Sequence, residues 1–440
     1  MTSVIFSPEY KIFKEMTMKN KYQLLPLAAL LLSTQALATD GYFSHGYGVK
    51  SQGMGGVGIA LPQDALAAAT NPAGMGLIGD RIDFGLTWFR PIREAEIEGN
   101  NSPFGSADGT YKANESKNFF IPEFGYNKVI NDQLSLGVSV YGNGGMNTDY
   151  NRPIPLFGNT KAGIDMAQLF IAPTLAWKIN ETHTVGVSVN LAYQRFEAKG
   201  LQNFDNPGAP MPDSTSSKGN VTNRGHDNSY GAGLHFGWIG KVNDSVSLGA
   251  TYQTKTYMSK FDKYKGLFAE QGDFDVPEQY GVGIAVKANA KLTIAADIQR
   301  INYGDVDSVG NSINNLFAGN LLGTNNGAGF AWRDVTAYKL GASYAWDDNL
   351  TLRAGYNHSS QPIRKSETLF NILAPGVVQD HLTLGATWVL PNKSELSFAY
   401  MHAFEKKVNG SGSIPTNFGG GDANLKMHED SLGIAYGWNM

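Results

Sequence analysis

The segment Leu134-Ser135-Leu136-Gly137-Val138-Ser139-Val140-Tyr141 alternates apolar residues with Ser and Gly, and its apolar series ends in an aromatic residue. Successive side chains of a β-strand point to opposite faces, so this pattern gives a strand one apolar face and one face of small or polar residues. A strand that faces lipid needs such a face, with the aromatic residue at the membrane interface.

The same alternation recurs along the chain and predicts about fourteen strands. They lie near residues 81–90, 117–128, 133–141, 164–179, 183–199, 228–242, 244–260, 276–289, 290–303, 333–346, 348–358, 378–390, 393–405 and 428–440. Backbone groups in hydrocarbon must be paired within the protein, so such a sheet has to close on itself. The sequence therefore predicts an all-β fold, a transmembrane antiparallel β-barrel of about fourteen strands.

The connections between these strands alternate in length. Every second strand is followed by a tight turn rich in Asn or Asp, at Asn131, Asn180, Asn243, Asn289, Asp347 and Asn392. The other connections are long. Short turns at one rim and long loops at the other are typical of bacterial outer-membrane barrels, whose termini both lie in the periplasm.

The composition excludes several classes of protein. The formal net charge of the 440 residues is only −4, which gives no indication of nucleic-acid binding. The chain contains no cysteine, so disulfides and thiolate metal sites are excluded. No run of 18 apolar residues follows the N-terminal region, so a helical membrane protein is excluded too.

The N-terminus has the pattern of an export signal. Lys19 and Lys21 precede an apolar run at 24–32, and Ala36-Leu37-Ala38 supplies a cleavage site, which predicts a signal peptide over 1–38. Translation then starts at Met16 or Met18, or else the signal has a long leading region. Residues 39–80 lack the strand pattern, are rich in Gly and Ala, and predict a short helix around 64–69. We interpret them as a hatch inside a barrel formed by 81–440.

Catalytic and cofactor motifs are weak. Gly53, Gly55 and Gly58 match a dinucleotide-binding pattern, but no strand precedes them, and we expect them to let the hatch pass close to the wall. His183 or His381 could serve an outer-membrane lipase, yet no convincing nucleophile motif accompanies them. We therefore expect no enzyme, no cofactor and no metal.

Some predicted loops are more apolar than solvated loops need to be. The residues concerned are Leu156, Phe157, Leu316, Phe317 and Leu321. They either pack against one another or form a surface that captures hydrophobic compounds, and the two interpretations are compatible.

The stretch Asn71-Pro72-Ala73-Gly74-Met75 resembles the hatch motif of the FadL family of long-chain fatty-acid transporters, which includes the TodX-type transporters of aromatic hydrocarbons. Further matching stretches are Val140–Gly145, Asp347–Tyr356 with Gln361-Pro362-Ile363, and Gln379–Gly385. The likeness covers essentially the whole mature chain. It implies a fourteen-stranded barrel with an N-terminal hatch.

The resemblance also implies functional positions. In the family, a kink in the third strand opens the barrel wall sideways, and Gly142, Gly144 and Gly145 stand where such a kink needs small residues, unless they only begin the long loop. Tyr42 and Phe43 correspond to an N-terminal contact in the substrate pocket. Arg195, Lys199 and Arg333 lie in regions where the family meets a carboxylate.

The expected function is passive outer-membrane uptake of long-chain fatty acids or related hydrophobic molecules, with lateral exit at the third strand. The alternative is uptake of aromatic hydrocarbons or alkanes, and more distant alternatives are a general diffusion porin and an outer-membrane lipase. We expect a monomer whose partners are its substrate, outer-membrane lipid and lipopolysaccharide, and the barrel-assembly machinery.

Overall fold

The computed structural model describes residues 40–102, 105–205 and 213–440. The predicted signal peptide, its cleavage site and both candidate start residues lie outside these ranges. Within the ranges, no helix has the length and apolar character needed to span a bilayer.

Fourteen antiparallel strands of the described chain form one closed sheet, as the sequence predicts. They are β1 (Arg81–Glu98), β2 (Phe119–Val129), β3 (Leu134–Pro153), β4 (Lys161–Lys178), β5 (His183–Lys199), β6 (Asp227–Lys241), β7 (Val246–Gln253), β8 (Gln279–Lys287), β9 (Leu292–Ile301), β10 (Val335–Ala345), β11 (Leu350–Ser359), β12 (Asp380–Val389), β13 (Ser394–Val408) and β14 (Asp422–Asn439). Pairing of β1 with β14 closes the barrel. Two short strands, Gly109–Lys112 and Tyr257–Met258, pair with the loop ends of β1 and β6.

Short helices lie in the hatch and in the long loops. The α-helical turns are Val49–Gln52, Gln202–Asp205, Ala269–Gly272, Asp307–Gly310, Asn314–Phe317 and Thr368–Asn371. The 3-10 turns are Ala67–Ala69, Pro72–Gly76, Asp262–Tyr264, Tyr303–Asp305, Lys365–Glu367 and Thr416–Phe418. The helix predicted around 64–69 is thus limited to Ala67–Ala69.

The strands that most exceed the lengths predicted from alternation are β1, β3 and β14. At the loop end of β1 the outward side chains are charged, and Glu94 forms an ion pair with Lys426 of β14 at 3.0 Å. The strands continue in this region, but the alternation of apolar residues from which a strand is predicted does not. In β3 the alternation fails because every residue from Ser139 to Met146 is buried.

In the described chain, the six tight turns predicted from the sequence are all closed by the same type of hydrogen bond. In each turn the Asn or Asp side-chain oxygen accepts a hydrogen bond from the backbone N–H two residues later, for example Asn131 from Gln133 at 3.0 Å. This local hydrogen bond explains why Asn and Asp mark these turns.

The outer face of the barrel is apolar. Outward side chains such as Phe84, Leu136 and Leu384 are 44%, 43% and 54% exposed. Large apolar side chains on a surface of this kind are stable when lipid covers them. The inward side chains are small or polar, which leaves space for the hatch.

The hatch, residues 40–80, lies inside the barrel and is bound to polar side chains of the wall. Glu123 of β2 accepts hydrogen bonds from the backbone of Gly48 and Val49 at 3.1 and 3.0 Å. Asp297 of β9 accepts bonds from Gly58 and Ile59 at 2.8 and 3.1 Å. The wall therefore supplies partners for backbone groups that the hatch leaves free.

The predicted close approach of the hatch glycines is found at two of the three positions. A Cβ on Gly53 would lie 2.8 Å from the Cα of Gly385, and one on Gly55 would lie 2.9 Å from the carbonyl oxygen of Leu340. Both wall residues belong to strands. Gly58 instead packs against Thr70 of the hatch itself.

Candidate functional site

An apolar cavity lies among the long loops at the loop end of the barrel. Its free volume is about 30 Å³, room for about one water molecule, and it is lined by Phe157, Ile164, Phe196, Leu201, Phe204, Leu267, Phe268, Ser308, Leu322, Ala328, Gly329, Phe330, Phe370 and Leu373. Among these described lining residues only Ser308 is polar, and its hydroxyl donates to the carbonyl oxygen of Asp273 at 2.5 Å. The cavity therefore offers an apolar lining and no charge to a ligand, which would have to displace some of these side chains to enter.

Aromatic side chains connect this cavity to the first residues of the hatch. The ring of Phe268 in the cavity lies 4.9 Å from that of Phe274, which lies 6.0 Å from the ring of Tyr42. On another side, Phe330 lies 6.4 Å from Trp332, which lies 5.9 Å from Tyr42. A ligand that moved these rings would act directly on the hatch.

Tyr303 holds the first residues of the hatch in place. Its hydroxyl donates a hydrogen bond to the carbonyl oxygen of Asp40 at 2.6 Å and accepts bonds from the backbone N–H groups of Tyr42 and Phe43, both at 3.2 Å. The Asp40 carboxylate pairs with Lys339 of β10 at 3.3 Å. A hydroxyl and an ion pair thus help to fix this segment.

The wall has an unpaired stretch between β2 and β3. In the described chain their ladder runs only from Val129↔Ser135 to Phe124↔Val140, although both strands continue toward the loops. We call the space between residues 119–123 of β2 and 141–148 of β3 the lateral gap. On its other side β3 stays paired with β4, with a bulge between Gly142 and Gly144.

The first hatch residues cover the lateral gap from inside. Gly145 donates its backbone N–H to the carbonyl oxygen of Tyr42 at 3.0 Å, and Ser44 donates to the carbonyl oxygen of Asn143 at 3.2 Å. Phe43 and Gly144 form a β-bridge. A Cβ on Gly144 would lie 2.2 Å from the Tyr42 carbonyl oxygen, so this contact requires glycine. The structure thus brings Tyr42 and Phe43 to the predicted glycine cluster.

The Asn-Pro-Ala-Gly stretch connects the hatch to β6. The Asn71 amide donates to the carbonyl oxygens of Ile59 at 2.7 Å and Trp238 at 3.1 Å. Its side-chain oxygen accepts from the N–H of Ala73 at 3.1 Å, which caps the helical turn that begins at Pro72. Gly74 has to be small, because a Cβ would lie 2.8 Å from that of Pro62.

The three basic residues proposed as carboxylate partners are not in the cavity lining. Arg195 pairs with Asp165 at 3.0 Å, Lys199 with Glu197 at 3.4 Å, and Arg333 donates to the carbonyl oxygen of Gln361 at 3.3 Å. Each cation lies near a strand end with a polar partner beside it, which is more stable than a cation facing an apolar cavity.

The predicted capture residues divide into two groups. Leu156 and Phe157 are fully buried and do not form a surface. Phe157 faces the cavity, and its ring lies 5.9 Å from the tilted ring of Phe204. Leu316, Phe317 and Leu321 are partly exposed. The first two pack against the apolar core of the loops.

The histidines considered for hydrolysis lie apart from one another. His183 stacks on Trp238 with 5.8 Å between the rings, and His381 is buried 6.1 Å from His45 in the hatch. Burial, helped by the neighbouring His381 and Lys339 and opposed by Asp40, lowers the pKa of His45 to about 3, so His45 is neutral. In the described part of the chain, neither His183 nor His381 is hydrogen-bonded to a serine.

Sequence reasoning missed Tyr303 and Trp332, which join the cavity to the hatch. In the structure both lie in the connection between β9 and β10. Trp332 precedes the predicted strand 333–346, and Tyr303 ends the predicted strand 290–303, where alternation does not reveal a contact with the hatch. Their only sequence signal is that large aromatic residues stand in a connection otherwise rich in Gly and Asn.

A closed barrel with an apolar exterior, an internal hatch and an apolar cavity defines a plugged outer-membrane barrel. The chain belongs to the outer membrane protein transport protein family (OMPP1/FadL/TodX), whose model matches residues 29–439.

Similar proteins are known in both sequence and structure. A long-chain fatty acid transport protein of Salmonella typhi is 23% identical over 422 residues, which cover 88% of this chain and 92% of that protein. The crystal structure of the Pseudomonas putida toluene transporter TodX superposes with a TM-score of 0.68 at 18% identity, covering 90% of this chain and 99% of that chain. A Pseudomonas aeruginosa FadL homologue gives 0.65 at 17% identity, covering 90% and 99%. At such identities the structural likeness establishes the fold alone.

Proposed function

We propose that this protein is a passive outer-membrane channel for long-chain fatty acids or related hydrophobic molecules. The cavity among the loops holds the molecule. The first hatch residues then move away from the lateral gap, and the molecule leaves sideways into the membrane. No cofactor and no energy source are needed, because movement follows the concentration gradient.

One observation carries this proposal: the aromatic contacts that run from the cavity to Tyr42, whose segment covers the lateral gap. Outside the gap the wall remains apolar, since Phe120 of β2 is 52% exposed and Leu86 of β1 is 42% exposed. A hydrophobic molecule is more stable there than in water, so sideways exit is favourable.

The substrate class has two candidates. Curated relatives are named long-chain fatty acid transport proteins, which supports a fatty acid. The second candidate is an uncharged hydrocarbon, as in the toluene transporter with the same fold. It is favoured by the cavity lining, which in the described residues holds no charged side chain to pair with a carboxylate. A buried unpaired carboxylate would cost several kcal/mol, by order of magnitude.

The remaining features belong to the same proposal. Residues 39–80 act as the hatch, and Asn71–Gly74 fix its later part while Tyr42 and Phe43 move. Leu316, Phe317 and Leu321 offer a first contact to hydrophobic compounds at the surface. Both termini face the periplasm, the barrel works as a monomer in lipid and lipopolysaccharide, and the barrel-assembly machinery inserts it.

The test is uptake by a strain that lacks this protein, with and without the gene restored. Restored uptake of radiolabelled oleate supports a fatty-acid channel, and restored uptake of toluene or an alkane supports a hydrocarbon channel. Restoration of neither would refute the proposal. A general porin would instead give large ion conductance in planar bilayers, and a lipase would release fatty acid from phospholipid in detergent.

A further inference from the structure

Arg93 of β1 lies at the loop end of the lateral gap, where the chain crosses from one side of the gap to the other. Residues 113–116, which precede β2, leave β1 here and contact β3. Asn114 forms a bridge with Asp149, and the backbone N–H of Glu115 donates to the carbonyl oxygen of Asp149 at 3.2 Å. This crossing forms the border of the gap at its loop end, which we call the upper border.

The guanidinium of Arg93 joins both sides of the gap at this border. One terminal nitrogen donates to the carbonyl oxygen of Asn147 on β3 at 2.5 Å, and the other donates to the carbonyl oxygen of Ser116 at 2.5 Å. The backbone N–H of Arg93 also donates to the side chain of Asn114 at 2.8 Å. A planar guanidinium reaches the two carbonyls with two separate nitrogens in a fixed geometry, whereas a lysine has only one nitrogen on a flexible chain.

The burial of Arg93 strengthens these hydrogen bonds. The side chain of Arg93 is 1% exposed, and hydrogen bonds from a charged donor are stronger than neutral ones. The carboxylate of Glu429, on the same inward face of the adjoining β14, is fully buried. Within the described residues its oxygens accept no hydrogen bond, so Arg93 is held by the oxygens of Asn147 and Ser116 and not by Glu429.

We propose that Arg93 is a specificity-determining residue that sets the largest molecule able to leave through the lateral gap. It does so by holding Ser116 to Asn147, which fixes the upper border and hence the length of wall that can open. This inference rests on the proposed function, because it assumes that substrate passes through the gap.

The test compares two uncharged hydrocarbons of different cross-section, toluene and 1,3,5-triisopropylbenzene, in cells that express each variant. We expect R93M to raise the ratio of bulky to small uptake at least fivefold and R93K to raise it less. The matched control is R300M. Arg300 also joins two strands, donating to Thr336 and Asp334, but it does so beside the intact β9–β10 ladder. Its ratio should equal that of the wild type.

A cross-link separates this role from a general loss of stability. The chain has no cysteine, so the pair N114C and D149C can be introduced into R93M without competing thiols. These residues are bridge partners, a spacing that suits a disulfide. Oxidation should restore the wild-type size ratio, and reduction should abolish it again.

Several outcomes would overturn the inference. The ratio could stay at the wild-type value in R93M, both rates could change by the same factor, or oxidation could fail to restore the ratio. If the wild type takes up neither hydrocarbon faster than cells without the gene, the proposed function itself fails.

Discussion

The carbonyl oxygen of Tyr42 accepts a hydrogen bond from the backbone N–H of Gly145 at 3.0 Å, so the hatch completes the strand edge that β2 leaves unpaired. The contact is a backbone one, and it depends on the absence of a side chain at Gly144. The described glycines with a positive φ angle do not include Gly144 or Gly145. The glycine at 144 is therefore explained by the lack of space for a side chain and not by backbone conformation.

Replacing Gly144 by valine should displace the first hatch residues. A Cβ would lie 2.2 Å from the Tyr42 oxygen, so this hydrogen bond cannot persist. Loss of one or two such bonds, at roughly 1 kcal/mol each, should raise the displaced population about tenfold. Hydrogen exchange at Ser44 and Gly145 would report it. Unchanged exchange in a barrel with normal heat-modifiable migration would contradict the expectation.

Tyr303→Phe removes one hydroxyl and keeps the ring. The carbonyl of Asp40 and the N–H groups of Tyr42 and Phe43 lose their hydrogen bonds to Tyr303, so exchange across 40–43 should accelerate by about tenfold, equivalent to roughly 1.4 kcal/mol. The matched control is Tyr264→Phe, which removes a hydroxyl bonded to Ala198 and Gly225 in another loop. Equal acceleration at 40–43 in both variants would show that the effect is not local.

Leu322→Arg should change the charge preference of the cavity. Leu322 lines the cavity and is 1% exposed, so a cation there would be available to pair with a carboxylate. Binding of decanoate relative to decane should increase about tenfold or more, on the scale of a charge-assisted hydrogen bond. Leu322→Met is the control and should keep the original ratio. An identical ratio in both variants would mean that the cavity does not hold the substrate.

Asn71→Ala should loosen the later part of the hatch. It removes bonds to the carbonyls of Ile59 and Trp238 and the cap of Ala73, with a local cost of about 2–4 kcal/mol. Protease cleavage within 64–76 should become measurable while the barrel remains folded. Asn243→Ala, in a tight turn of the wall, provides the comparison and should leave the hatch resistant.

The loop around Asp273 should become less protected as pH rises. Burial, helped by Asp275 and Glu270, raises the pKa of Asp273 to about 6, so the fold favours its protonated form. This stabilising contribution is present below the ordinary pKa near 4 and is lost as pH rises through about 6. Exchange in 269–275, corrected for intrinsic rate, should therefore be faster at pH 7.5 than at pH 5. Asp273→Asn should reduce the difference, leaving only the part due to Asp275, whose pKa burial also raises.

The strand number and the tight turns were predictable because each depends on neighbouring residues. The alternation at Leu134–Tyr141 and the hydrogen bonds accepted by the side-chain oxygen of Asn131 both involve residues only two or three positions apart. The extension of β3 was not predictable, since burial on both faces removes the alternation.

The site was only partly predictable for the same reason. Tyr42 and the glycine cluster were found through the resemblance to a family. Tyr303, however, meets Asp40 across 263 positions of sequence, and no local pattern reports such a contact. The role of the three basic residues stays a prediction, because charge in a sequence does not reveal its partner. Arg195 is neutralised by Asp165, which lies 30 positions away.

The seam between β1 and β14 constrains how the molecule can assemble. Most neighbouring strands are joined by a turn or loop and can pair soon after synthesis, but Arg81 and Asn439 come from opposite ends of the barrel sequence. Pairing of such distant segments carries a large entropic cost and is expected late. Since the hatch immediately precedes β1 in the sequence, we expect it to enter the interior at about the time that this last pairing forms.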